Sequence, residues 1–84
     1  MYNVWYLVKH VEIEGEGGDI KDIKIFAHKQ SAIKELNKMV AEIYENEVDE
    51  EDVMRKIEGD GYFYLVTYDG CRYRLLVKRA KIYE

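Results

Sequence analysis

Few residues in this chain are of a type and spacing that do covalent chemistry. The two histidines, His10 and His28, and the one cysteine, Cys71, stand apart. None has a His or Cys partner at the three- or four-residue spacing of a zinc site. Ser31 is the only serine and falls in the first turn of a predicted helix, which leaves no Ser–His–Asp set. Gly15, Gly17 and Gly18 sit between two predicted strands, whereas a phosphate-cradling loop opens a helix. With none of the catalytic roles filled, the expectation is a protein that is not an enzyme and takes neither metal nor cofactor.

Three constellations remain, and all three are suited to binding. The first is the acidic run Glu42, Glu45, Glu47, Asp49, Glu50, Glu51 and Asp52. As a solvated helix corner it needs no function, because carboxylates near a helix N-terminus are favoured by the dipole. Its sharper reading is a partner-binding surface that occupies a basic, nucleic-acid-binding groove on another protein, since such grooves are lined with Lys and Arg. A calcium loop fits poorly: counted from Asp49, Met54 falls where glycine is required and Val53 where a ligand is required.

The second constellation is tyrosine. Tyr62, Tyr64, Tyr68 and Tyr73 are predicted to share one face of a C-terminal hairpin. They serve either as core filling, as a protein interface or as a base-stacking platform. The third is the basic tail, Arg72, Arg74, Lys78, Arg79 and Lys81. It either contacts phosphates or protects an edge strand from aggregation. The predicted pairing puts Arg72 and Arg74 on the face opposite the tyrosines, which argues against a platform.

The elements that must position these residues follow from length and pattern. A chain of 84 residues forms one domain, 1–84, with a small core. Net charge is −4, unevenly spread: residues 42–60 hold nine acids against Arg55 and Lys56, and residues 71–84 hold five bases against Glu84. One cysteine and no disulfide suit a reducing, cytoplasmic setting. The N-terminus lacks a basic n-region and a cleavage site, so no signal peptide is expected. No apolar run reaches the length of a membrane span.

Residues 2–13 read as a central strand, with a bulge near Lys9–His10 as one way to place Lys9. Glycines in 14–19 mark a turn, and 20–27 read as a second strand. From Ala32 to Tyr44 the apolar residues recur at helical intervals, which predicts a helix over 29–45. A second, short helix is predicted from an Asp49 cap, with Val48 and Val53 as its hydrophobic staple and Gly59 as its terminator. Residues 62–68 and 71–83 read as strands joined by Asp69-Gly70, a strong hairpin dipeptide. A two-residue turn there pairs Tyr68 with Cys71 and Tyr64 with Leu75. The predicted fold is α+β: a two-layer ββααββ domain, its four-stranded antiparallel sheet carrying one long and one short helix on one face. The last strand outruns its hairpin partner, so its tail either pairs with residues 2–13 or lies on an exposed edge. In the second case a homodimer through that edge, or through the tyrosine face, would bury it.

The segment Ile25-Phe26-Ala27-His28-Lys29-Gln30-Ser31-Ala32-Ile33-Lys34-Glu35-Leu36 resembles the strand-to-helix step of small phage and mobile-element proteins, with His28 where that pattern has a Ser cap. In size and acidity the chain is similar to anti-CRISPR proteins and other phage anti-defence inhibitors. The resemblance implies a stoichiometric inhibitor, in the host cytoplasm if phage-encoded. Its partner would be a protein, such as a nucleic-acid-binding effector, rather than a membrane or nucleic acid directly. The alternatives are a sponge that sequesters a signalling nucleotide, with Tyr62, Tyr64, Tyr68, Tyr73, Arg72 and Arg74 as its ligand residues, and a protein-interaction module or nucleic-acid binder.

Overall fold

The computed structural model describes residues 2–13 and 19–83. The chain runs β1 (Tyr2–Glu12), β2 (Asp19–Phe26), α1 (Lys29–Asn46), a single 3-10 turn (Glu50–Asp52), β3 (Val53–Gly59), β4 (Tyr62–Thr67) and β5 (Arg72–Ile82). The strands form one sheet in the order β2-β1-β5-β4-β3, antiparallel at every pairing. The α+β class holds, but the predicted architecture does not: among the described residues the sheet has five strands rather than four, and there is one α-helix rather than two.

The correction falls on residues 49–59. The helix predicted from Asp49 is only the 3-10 turn, and Val53–Gly59 is an edge strand paired with β4. The segment supplies too little apolar surface for a second helix to bury. Only Val53 is even half-buried, and Met54–Gly59 are all exposed. Paired as a strand, its backbone groups instead find partners along β4, with a bulge between Val53 and Arg55. Asp60-Gly61 closes that hairpin, Gly61 taking a φ of +73° that favours glycine. By contrast β1 pairs without interruption on both sides, so the expected bulge at Lys9–His10 is not there. The glycine-rich tip of the first hairpin, 14–18, lies outside the described residues.

The core lies between the sheet and α1. Ala32, Leu36, Met39 and Ile43 of the helix are buried, and the last three share a cluster with Leu7, Val11, Phe63, Leu65, Tyr73 and Leu75. These sheet residues are the odd-numbered positions of β1, β4 and β5, as strand alternation requires for one face. Val48, just past the helix, joins them, and Tyr44 meets Phe63 edge to face with centroids 6.2 Å apart. The tail of β5 pairs with β1 along its whole length, Val4 opposite Ala80 and Tyr2 opposite Ile82. The exposed edge that would have called for a partner there does not arise. The sheet's outer strands are β2 and β3.

Candidate functional site: the uncovered face of the sheet

The side chains that alternate with the core face have no helix over them. Read across the strands by Cα partners, they form ordered rows. One row holds Glu12, Arg72, Val66 and Arg55. The next holds Lys21, His10, Arg74, Tyr64 and Ile57. A third holds Ile23, Val8, Leu76 and Tyr62, and a fourth Ile25, Tyr6 and Lys78. Beyond them Tyr2 faces Ile82. Ile25 is 72% exposed, and Ile23, Ile57, Tyr2 and Ile82 are also well exposed. Single exposed aliphatics are ordinary, but several on one sheet face make a patch of the kind that marks an interaction surface.

The register of the β4–β5 hairpin decides what this face carries. Thr67, not Tyr68, stands opposite Cys71, because the loop is three residues long: Tyr68, Asp69 and Gly70. The Thr67 N–H donates to the Cys71 carbonyl at 2.9 Å and the Gly70 N–H to the Thr67 carbonyl at 3.1 Å. The Thr67 hydroxyl accepts from the Cys71 N–H at 3.0 Å and donates to the Asp69 carboxylate. That bond is the leading cause holding the Asp69 carboxyl below its ordinary pKa. Gly70 takes a φ of +93°, the arrangement of a turn closed by a left-handed glycine.

A one-residue difference in register exchanges every side chain between faces. Tyr64 therefore pairs with Arg74, not Leu75, and Tyr62 with Leu76. The four tyrosines expected on one face are divided. Tyr62 and Tyr64 lie on the open face, Tyr73 is buried in the core, and Tyr68 projects from the turn, 71% exposed. Arg72 and Arg74 join Tyr62 and Tyr64 instead of opposing them. The Arg74 guanidinium lies over the Tyr64 ring, 5.4 Å from its centroid, a cation–π distance. Arg72 reaches Glu12 at 3.4 Å.

Among the side chains described, the open face carries five cations, Lys21, Arg55, Arg72, Arg74 and Lys78, against Glu12. Of the five, only Arg72 makes an ion pair with a described residue. A recess of about 120 Å³ is lined by His10, Glu12, Tyr64, Arg72 and Arg74. A broader trough of about 340 Å³ continues from it past Tyr6, Lys21, Ile23 and Lys78, sharing His10 and Arg74.

The acidic run lies elsewhere. Glu42 and Glu45 are on the last turns of α1, Glu47 follows it, and Asp49, Glu50, Glu51 and Asp52 make up the 3-10 turn and its entry. All seven are exposed, and none forms an ion pair with a described residue. Glu47 acts on Tyr73, whose pKa is raised by burial and then by that charge. No group of three or more His, Cys, Asp or Glu among the described residues is placed to hold a metal ion. Cys71 is half-buried against the core. No described helix is long and apolar enough to cross a membrane. Arg55, Lys21 and Tyr6 are not among the residues the sequence singles out, and His10 is weighed there only as a metal ligand. Arg55 falls in the predicted second helix, and the other three lie far in sequence from the hairpin they join.

No protein-family model, curated protein or solved structure matches the chain.

Proposed function

We propose that this chain is a non-catalytic binding protein that acts by occupying a component of nucleic-acid-handling machinery, in the manner of a stoichiometric inhibitor or adaptor. Its recognition surface is the open sheet face. The observation that carries the reading is the composition of that face, in which exposed isoleucines and half-buried tyrosines stand beside five cations, of which only Arg72 is ion-paired to a described residue. A face with no binding role would gain solubility from polar residues at Ile23 and Ile25, as antiparallel sheets with one solvated face do.

The acidic end of the helix is a second candidate surface, favoured by its seven exposed carboxylates, none ion-paired to a described residue. The two faces have opposite charge, so they would meet different parts of a partner or different partners. Capture from a bacterial lysate on the immobilised full chain separates them. The triple variant Glu47→Lys, Glu50→Lys, Glu51→Lys tests the acidic end, and Ile25→Glu with Arg74→Ala tests the open face. Loss of captured material by the open-face variant alone is the expected result. Loss only by the acidic-end variant moves the function there, and a set unchanged by either refutes the binding role of both surfaces.

A further inference from the structure

We infer that the cationic and aromatic half of the open face binds a single-stranded nucleic acid, with phosphates on Arg72, Arg74, Arg55 and Lys21 and bases stacked on Tyr64 and Tyr62. This deepens the reading above and rests on the open face being the recognition surface.

Charge selects the class of occupant. A second copy of the chain docked face to face would set five cations and Glu12 against the same set, a net repulsion among the described side chains, so it is not the natural cover. The occupant is an anion. Shape then argues for a strand rather than a free nucleotide. Small-molecule sites are concave and close around their ligand, typically with about 300–1,000 Å³ of space. Here the recess at Tyr64 and Arg74 holds only about 120 Å³, and the trough beside it, though about 340 Å³, is a shallow open depression that does not close around a ligand. The row from Lys21 to Ile57 crosses five strands, about 19 Å at roughly 4.8 Å per strand. That is a track, with Lys21 and Arg74 on one side of Tyr64 and Arg55 in the adjoining row.

The rings separate a nucleic acid from an acidic protein. Tyr64 stands in one row with Arg74 and His10, and Arg72 and Arg55 occupy the adjoining row. Single strands are held by this combination of a positively charged groove and aromatic faces, because every base presents a π-face and every nucleotide a phosphate. An acidic protein would use the cations but would leave the ring of Tyr64 replaceable.

Fluorescence anisotropy with labelled 15-residue oligo(dT) and oligo(U), and a 15-base-pair DNA duplex for comparison, tests this on the full chain. Saturable single-strand binding at 25 mM salt is expected. It should weaken about fiftyfold between 50 and 200 mM salt, as for roughly three counterions released by four phosphate contacts. Tyr64→Ala should weaken binding about tenfold, whereas Tyr64→Phe, which keeps the ring, stays within about twofold. Arg74→Ala weakens it, and Glu50→Lys does not. Circular dichroism melts confirm that each variant is folded.

Absence of single-strand binding at 25 mM salt overturns the inference. So does binding that prefers the duplex or ignores Tyr64→Ala, because charge alone would then explain it. If oligonucleotides fail but Arg74→Ala still abolishes capture of a protein from nuclease-treated lysate, the strand is wrong and the open-face reading stands with an acidic protein as partner. If open-face variants change neither measurement, both readings fall.

Discussion

Leu75 and Leu76 are adjacent in β5 and identical in chemistry, yet they lie on opposite faces of the sheet. Replacing each by alanine therefore measures the register directly, with strand propensity and backbone position held nearly constant. Leu75 is fully buried, opposite Phe63 on one side and Lys9 on the other. Its truncation removes three carbons from the centre of the core and leaves a cavity that neighbours on two strands and a helix fill only in part. Such changes cost about 3 kcal/mol, within a range of roughly 2–5. Leu76 is half-buried on the open face, between Val8 and Tyr62. Burying a whole leucine is worth about 1.5–3 kcal/mol, so half of one gives about 1 kcal/mol with no enclosed cavity. For a domain of this length the total stability is about 4–13 kcal/mol, so the first loss is a large share of it. In urea, at a slope of about 1 kcal/mol per molar, the midpoint should fall by roughly 3 M for Leu75→Ala and roughly 1 M for Leu76→Ala. Equal losses, or a greater loss for Leu76→Ala, would refute the assignment of faces and with it the composition of the binding surface.

Three further outcomes are expected. Gly61→Ala should lower stability by about 1–2 kcal/mol in the same titration, since its φ is +73° and a Cβ there would lie 3.4 Å from that of Val77. The carboxyl of Asp69 is held below its ordinary pKa chiefly by the Thr67 hydroxyl, so its contribution is present above the unfolded value of about 3.8 and is lost as pH falls through the lower folded value. Thermal melts of Thr67→Val against the parent should therefore show a constant gap at neutral pH that narrows in acid below that value. Tyr73 has the opposite sign: its pKa is raised from 10.0, first by burial and then by Glu47, so the unfolded chain ionises first and stability falls as pH rises beyond 10. Tyr73→Phe should flatten that alkaline limb in melts between pH 8 and 11.

The parts of the fold that were legible in the sequence are those where one period dominates over many residues. The helix, read as 29–45, runs Lys29–Asn46, because Ala32, Leu36, Met39 and Ile43 repeat on one face and nothing competes. The first strand and the last were visible for the same reason. Residues 53–59 were ambiguous in kind. Val53 and Ile57 satisfy a four-residue interval and an alternating one equally, and a glycine at the end serves a helix C-terminus or a hairpin. The signal that could have decided it is Asp60-Gly61, an Asp-Gly dipeptide between two alternating runs, the same feature that was read correctly as a turn at Asp69-Gly70. At that second turn the dipeptide identified the hairpin but not its length. Whether a loop has two residues or three depends on which residue takes the left-handed conformation and on the hydroxyl of Thr67, and the tyrosine face turned on that difference.

The same difference changes the meaning of the charge. Counted along the chain, the acids gather in 42–60 and the bases in 71–84, so an acidic surface looks like the dominant feature of a protein at −4. Strand alternation cuts across that division. It sends Arg72, Arg74 and Lys78 to the open face and Arg79 and Lys81 to the other, and it brings Arg55 out of the acidic segment to stand beside Val66 and Arg72. The molecule is thus polar in the electrostatic sense, cationic on the open sheet face and anionic at the end of the helix. At the Debye length of about 8 Å in physiological salt, an anionic ligand on the sheet responds to the local cations far more than to the net charge. At low salt the far side acts too, turning an approaching polyanion away from the helix and toward the sheet. A partner that binds the open face should therefore lose affinity steeply as salt rises, although the protein and a nucleic acid carry net charge of the same sign.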